Sequence, residues 1–313
     1  MNILVTGATG FIGKNLVRKL AQDKANRIIC LVRPTSNIYE LKSLGVAFVF
    51  GDICDKASLV AIKADLHLDL LFHCAAYVND HNIKKLNLVN VTGTENIFRF
   101  ALEHNIKKTI YISSVAVASG NPQIPLTEDL PYASTNNYGA SKIEAEKIAV
   151  KYRTMGLNIA IIRPCMVYGE EEPHVMKYLL KALKWRLLPI MGTGCAKFHL
   201  VYIQHVVDAL IFMMNNERCF EGTFFIADKE ILTNNEVLTI MAQALGAKPP
   251  VKMPDIVCRF LLWLPVIGAK IKFVQKDRIY STRSFEAVGF KFRFDGRKAL
   301  ADSVRNFHCT RPV

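Results

Sequence analysis

Acidic residues are in short supply: Asp and Glu number 27 against 40 Lys and Arg, which leaves a formal net charge of +13 over 313 residues. A basic surface attracts nucleic acid, an anionic membrane face or phosphate-bearing small molecules. No block of five adjacent Lys/Arg occurs, and no basic helix or aromatic-and-basic stripe accompanies the charge, so nucleic acid is not an expected partner. The eight cysteines never form a Cys-x-x-Cys pair, and no His/Cys cluster has zinc-like spacing. That excludes a structural zinc module, and free thiols in a reducing compartment are expected, with no metal. No apolar run reaches the roughly 20 residues that span a bilayer. The most hydrophobic stretch, Ile256 to Ala269, is broken by Arg259, Pro265 and Gly268. It reads as a core or lobe-packing helix, with peripheral membrane contact as the alternative. Repeats and low-complexity segments are missing, so the chain is expected to fold throughout. Its first residues, Asn2 to Thr6, read as a strand and not as a secretory leader, and the cytoplasm is the expected compartment.

What is present is a rhythm. Up to about Pro164, short β-branched runs alternate with longer amphipathic segments: Ile3–Thr6, Arg27–Val32, Ala47–Phe50, Asp69–His73, Thr109–Ser113 and Asn158–Ile162. The alternation predicts an α/β fold, a Rossmann-type doubly wound parallel sheet whose ligands bind beyond the carboxyl ends of the strands. Beyond Pro164, Pro- and Gly-punctuated stretches separate helices and isolated strands, predicting a smaller, mixed C-terminal substrate lobe. The expected division is 1–164 for the dinucleotide-binding domain and 165–313 for the substrate lobe, with segments near 205–226 returning to the first domain.

Directly after the first strand comes Thr6-Gly7-Ala8-Thr9-Gly10-Phe11-Ile12-Gly13, leading into a helix-like segment from Lys14 to Gln22. Gly7 suits a tight turn, Gly10 lets the backbone approach a pyrophosphate, and Gly13 permits close helix packing, with a helix N-terminus facing the negative charge. Twenty residues past Gly13, where an acid usually meets the ribose hydroxyl of NAD, stands Arg33. A guanidinium there clamps a 2′-phosphate, so NADP(H) is expected over NAD(H), an exposed surface arginine being the alternative. Asp52, ending the third strand, is placed either to accept from the adenine amino group or to open a helix turn.

Tyr138-Gly139-Ala140-Ser141-Lys142 puts a phenol and an ammonium on one helical face. A phenol with a pKa near 10 needs about 4 kcal/mol of preferential phenolate stabilisation to act as a base at pH 7, which a neighbouring ammonium and a positive nicotinamide ring can supply. Ten tyrosines give about one such spacing by chance, so position in the chain carries the inference. The pair follows the fifth strand, which ends in Ser113-Ser114 and so offers a hydroxyl to a reacting oxygen.

Thr6 to Gly13, Gly51-Asp52, His73-Cys74-Ala75-Ala76, Ser113-Ser114, Tyr138 to Lys142, and Arg163-Pro164 through Val167-Tyr168-Gly169 together resemble the extended short-chain dehydrogenase/reductase family of epimerase/dehydratase type. The resemblance covers most of the chain in order. It implies Tyr138 as the acid/base, Lys142 as the ribose-binding residue that tunes the phenol, and Ser114 as the group that orients the substrate oxygen. Asn90 matches the family's asparagine on the fourth helix, where it supports a bound water, or is an ordinary helix residue. His73 matches a backbone-positioning residue. Thr9, Phe11 and Ile12 in the glycine turn, Ile53 after Asp52, Ala75 and Ala76 after the fourth strand, and Pro164 are implied to line the dinucleotide.

The implied chemistry is hydride transfer at an alcohol or ketone carbon. Dehydratases of the family add an Asp-Glu pair after the strand-end hydroxyl, and here Val115-Ala116 follow Ser114, which speaks against elimination. A nucleotide-sugar epimerase or reductase is one reading, supported by the basic charge. Against it, Cys165-Met166 follows Pro164 where such enzymes carry an asparagine, and only Lys197 or Arg278 offers itself to a diphosphate. Leu31-Val32-Arg33-Pro34 resembles instead the hydroxysteroid and dihydroflavonol branch, which acts on ring ketones. A non-catalytic NADPH-binding sensor or scaffold is a third reading, opposed by the intact Tyr138 and Lys142. A homodimer is compatible with all three.

Overall fold

The computed structural model describes residues 1–60, 62, 67–220, 222–264, 268, 271–272 and 274–310. The β-branched runs become β1 (Asn2–Thr6), β2 (Arg27–Val32), β3 (Ala47–Phe50), β4 (Leu70–His73), β5 (Lys108–Ile112) and β6 (Ile159–Pro164). Apart from the edge strand β3 they are almost wholly buried, as near-continuous apolar runs covered on both faces should be. Further on lie β7 (Met166–Tyr168), β8 (Lys197–Phe198), β9 (Leu200–Tyr202), β10 (Thr223–Ile226) and β11 (Leu232–Thr233).

The main sheet has seven strands in the order β3-β2-β1-β4-β5-β6-β10, and every neighbouring pair is parallel. The winding reverses between β1 and β4, where Thr6 lies opposite His73, and such a switch point leaves a crevice at the strands' carboxyl ends. In the smaller sheets β7 pairs with β9 in parallel and β8 with β11 antiparallel.

Ten helices are named here: α1 (Phe11–Leu20), α2 (Tyr39–Lys42), α3 (Lys56–Val60), α4 (Ile83–Leu86), α5 (Gly93–Glu103), α6 (Asn137–Thr154), α7 (Met176–Lys184), α8 (Ile203–Met214), α9 (Asn234–Ala244) and α10 (Asp255–Leu261). Strand alternation sorts the core. Ile3 and Val5 of β1 face Leu16 and Leu20 of α1 with Val206 and Leu210 of α8, while Leu4 turns the other way, toward Phe98 of α5 and Ala145 of α6. Each such side chain, fully buried, contributes about 1.5–3 kcal/mol. A separate core in the second lobe joins Leu180 and Leu183 of α7 to Leu238 and Met241 of α9 and to Val304 and Phe307 of the C-terminal helix Gly296–Thr310. Asp228 ties that lobe to the sheet: its carboxylate accepts from Tyr168 Oη at 2.8 Å and the Tyr202 amide at 2.9 Å, and pairs with His205 Nδ1 at 2.7 Å.

Three elements differ from the sequence reading. The first helix begins at Phe11, ahead of the expected Lys14, because extended Gly10 caps it and the whole glycine turn closes early. A π-helical turn, Asn87–Thr92, joins α4 to α5 with no pattern to announce it. The expected packing helix at Ile256–Ala269 buries Cys258 but, among the described residues, turns Ile256, Val257, Phe260, Trp263 and Leu264 to solvent; residues 265–267 and 269 lie outside the described residues. Among the described residues seven cysteines are free, no cluster suits a metal, and no helix is long and apolar enough to cross a membrane.

Candidate active site

The glycine turn sits at the switch point. Gly7 has a φ of +66°, and a Cβ there would lie 2.6 Å from the Ala75 amide nitrogen, so backbone strain and contact with the end of β4 both require glycine. A Cβ on Gly13 would stand 2.2 Å from the Gly7 carbonyl oxygen. The Gly10 amide donates to that same oxygen at 2.9 Å, closing the turn. Thr9 and Gly10 are exposed at the mouth, while Phe11 and Ile12 are half-buried in the first turn of α1. No side chain caps α1 and no acid occupies its first turn, so its positive end is left to an anion, which fits a pyrophosphate.

Around the turn, buried polar residues lock its walls. Thr6 Oγ1 lies 2.7 Å from His73 Nδ1, and His73 Nε2 lies 3.0 Å from Thr94 Oγ1, joining β1, β4 and α5. Burial, with Lys142 nearby, pushes His73 down to about 3, so this ring is neutral and positions the backbone. Ala75 and Ala76 follow on the loop after β4, Ala75 half-buried and Ala76 exposed. Pro164 ends β6 opposite Ile226.

The catalytic candidates converge at the ends of β5 and α6. Of the two serines, Ser113 is buried, whereas Ser114 is partly exposed and caps the 3-10 turn Val115–Val117 by accepting from the Ala116 amide at 3.2 Å. Ser114 is therefore the one that faces the cleft. It also hydrogen-bonds Tyr138, which favours the phenolate, but burial outweighs it and raises the phenol to about 12. Lys142 is fully buried and donates to the Ile112 carbonyl at 2.7 Å, its Nζ 4.4 Å from the Tyr111 ring centroid. Burial lowers it to about 7, against the pull of Glu146 and Cys74. In the protein without its dinucleotide, burial is the largest influence on both groups, raising the phenol and lowering the ammonium.

Several supporting residues escaped the sequence reading. Asp80 Oδ1 accepts from the Tyr138 amide at 2.7 Å, and Asn136 Oδ1 accepts from the Gly139 amide at 2.8 Å; together they cap α6 and place Tyr138 in its first turn. An Asn two residues before Tyr138 is a readable cap, but Asp80 comes from a distant loop and gives no local signal. Glu146 pairs with Arg163 through Nε at 2.9 Å and Nη2 at 2.6 Å and accepts from Tyr132 Oη at 2.9 Å, clamping α6 to β6. Asn90 sits in the π turn. Its Oδ1 accepts from the Tyr77 amide, and its Nδ2 donates to the Tyr77 carbonyl and to Ser141 Oγ, each at 2.8–2.9 Å. Both side-chain donors are thus spent on protein.

The residues proposed for the adenosine half lie along the carboxyl ends of β2 and β3. Arg33 is exposed just after β2. Asp52 closes its own turn, its Oδ1 accepting from the Cys54 amide at 2.9 Å. Ile53 packs its side chain where a Cβ on Gly93 would be, and its carbonyl accepts from Asn96 Nδ2 at 2.9 Å, so it ties the end of β3 to α5.

Residues 3–226 match the family described as NAD dependent epimerase/dehydratase. The chain belongs to the NAD dependent epimerase/dehydratase family. It is an NAD-dependent enzyme of that family, with a small-molecule substrate, and its central sheet is of the Rossmann type. A UDP-glucose 4-epimerase of Vibrio cholerae is 30% identical over 263 residues, covering 81% of this chain and 78% of that one. A 2-alkyl-3-oxoalkanoate reductase of Stenotrophomonas maltophilia is 27% identical, covering 79% and 76%. In fold, the chain is similar to the UDP-glucose 4-epimerase of Thermotoga maritima solved with UDP-glucose, with a TM-score of 0.81 and 23% identity over 99% of both chains.

Proposed function

We propose that this enzyme interconverts an alcohol and a ketone on a nucleotide-linked sugar, as an epimerase or reductase, with NADP(H) preferred over NAD(H). The observation that carries the reading is the meeting of Ser114, Tyr138 and Lys142 at the ends of β5 and α6, beside the Gly7 and Gly13 cradle. When bound, the dinucleotide supplies or accepts the hydride. Tyr138 Oη moves the proton, to the substrate oxygen in reduction and from it in oxidation, while Ser114 Oγ holds that oxygen. In the protein alone the phenol is the stable form, so the site is poised as an acid. Working as a base at pH 7 therefore demands strong preferential stabilisation of the phenolate. Lys142, held at Ile112, is the cation nearest that task.

The sugar-nucleotide reading draws on the Vibrio cholerae relative and on the excess of basic residues. Arg33, exposed beyond β2 and followed by Pro34, supports the 2′-phosphate preference. A second reading, a reductase of a lipid-like or ring ketone, is favoured by the Stenotrophomonas maltophilia relative and by the Leu31-Val32-Arg33-Pro34 segment. Calorimetry with NADPH and NADH, each with and without UDP, GDP and dTDP, separates them. Tighter NADPH binding with a diphosphate heat supports the first reading; NADPH binding without any diphosphate heat shifts it to the second.

A further inference from the structure

Two stretches of the second lobe are nearly free of acids. Between Glu172 and Asp208 stand Lys177, Lys181, Lys184, Arg186 and Lys197 with no Asp or Glu, and residues 248–276 set six Lys/Arg against the single Asp255. The fold brings these stretches together, because the Ile190 amide donates to the Val251 carbonyl and the Met253 amide to the Ile190 carbonyl, both at 2.9 Å. From that junction α10 begins. Cys258 is its inward anchor, while Ile256 and Phe260 on α10 and Trp263 in the turn that follows it are 79%, 74% and 87% exposed. On the other stretch Trp185 and Leu187 are 67% and 74% exposed. Both tryptophans of the chain are therefore on the surface of this lobe, among basic side chains.

An apolar patch this exposed is ordinarily covered. A second copy of the chain is a poor cover, since a two-fold contact would bring together two equally basic faces. An anionic surface with an apolar interior complements both features, and tryptophan favours the boundary between headgroup and hydrocarbon. We propose that this face docks on an anionic lipid bilayer, with α10 lying in the plane of the interface, Phe260 and Trp263 inserted, and the flanking Lys and Arg on the headgroups. The proposal is independent of which substrate the cleft takes.

The test uses the intact chain with vesicles of phosphatidylcholine alone or mixed with phosphatidylglycerol. Because the only two tryptophans lie on this lobe, their emission should shift to the blue as the protein cosediments with phosphatidylglycerol vesicles at low salt, and binding should weaken with added salt. A Phe260→Ser/Trp263→Ser variant should bind about tenfold more weakly or worse, with thermal midpoint and dinucleotide affinity unchanged. No cosedimentation at low salt, or equal binding by the variant, overturns the proposal. So does a concentration-dependent dimer that the variant abolishes without any vesicle binding by the parent, which would make a second copy the cover.

Discussion

Lys142 donates its ammonium to the carbonyl oxygen of Ile112 at 2.7 Å, so the lysine of the Tyr-x-x-x-Lys pair is held against the last residue of β5. Burial lowers it to about 7 from 10.5. Between those values the unfolded chain binds more protons than the folded one, and stability contributed by this group rises with pH. Relative to Lys142→Met, the wild type should gain at most about 1.4 kcal/mol per pH unit across that window. Urea unfolding at pH 7 and pH 9 reads the difference; an unchanged gap would mean that the lysine keeps its proton.

Tyr138→Phe removes the acid/base while sparing the ring packing. Turnover should fall by about 10²–10⁴-fold, with dinucleotide affinity close to wild type by calorimetry. Equal losses of turnover and binding would make Tyr138 a structural residue.

Arg33→Ala should weaken NADPH by roughly 10–100-fold, the worth of a charge-assisted hydrogen bond to phosphate, and leave NADH nearly unchanged. If both cofactors bind as before, the 2′-phosphate preference loses its basis.

Gly13→Ala places a Cβ 2.2 Å from the Gly7 carbonyl oxygen, and the obstacle is backbone that cannot swing aside. A stability loss of about 1–3 kcal/mol is expected from such overpacking. The thermal midpoint should drop, and dinucleotide binding should fall with it as the turn opens. A variant that melts and binds like wild type would show that the turn shifts freely.

Glu146→Gln leaves the Arg163 guanidinium buried without its carboxylate, at a cost of about 3–5 kcal/mol. A Glu146→Met/Arg163→Met double variant removes both charges and should recover much of that loss. Chemical denaturation of both decides, and a double variant no more stable than the single would show that the pair itself holds α6 to β6.

The alternation of β-branched and amphipathic segments, the glycine spacing and the ordered motifs from Thr6 to Gly169 were enough to predict the parallel sheet, because strand burial and tight turns are imposed locally. Strands β2 and β3 are where the residue pattern placed them. What only the tertiary structure decided is set by partners far apart in sequence. Ser113 is buried with its amide still paired to the Ile162 carbonyl of β6, whereas Ser114 leaves the strand to cap the 3-10 turn and so is the one that faces the cleft. Asp80 caps α6, and Glu146 meets Arg163, through chain crossings that no local pattern records. The protonation of Tyr138 and Lys142 follows from how much water the packed lobes exclude, and the outward face of α10 from there being no neighbouring core for Phe260 and Trp263 to enter among the described residues. Spacing puts the phenol and the ammonium on one helical face; burial, a property of the assembled fold, sets their charge.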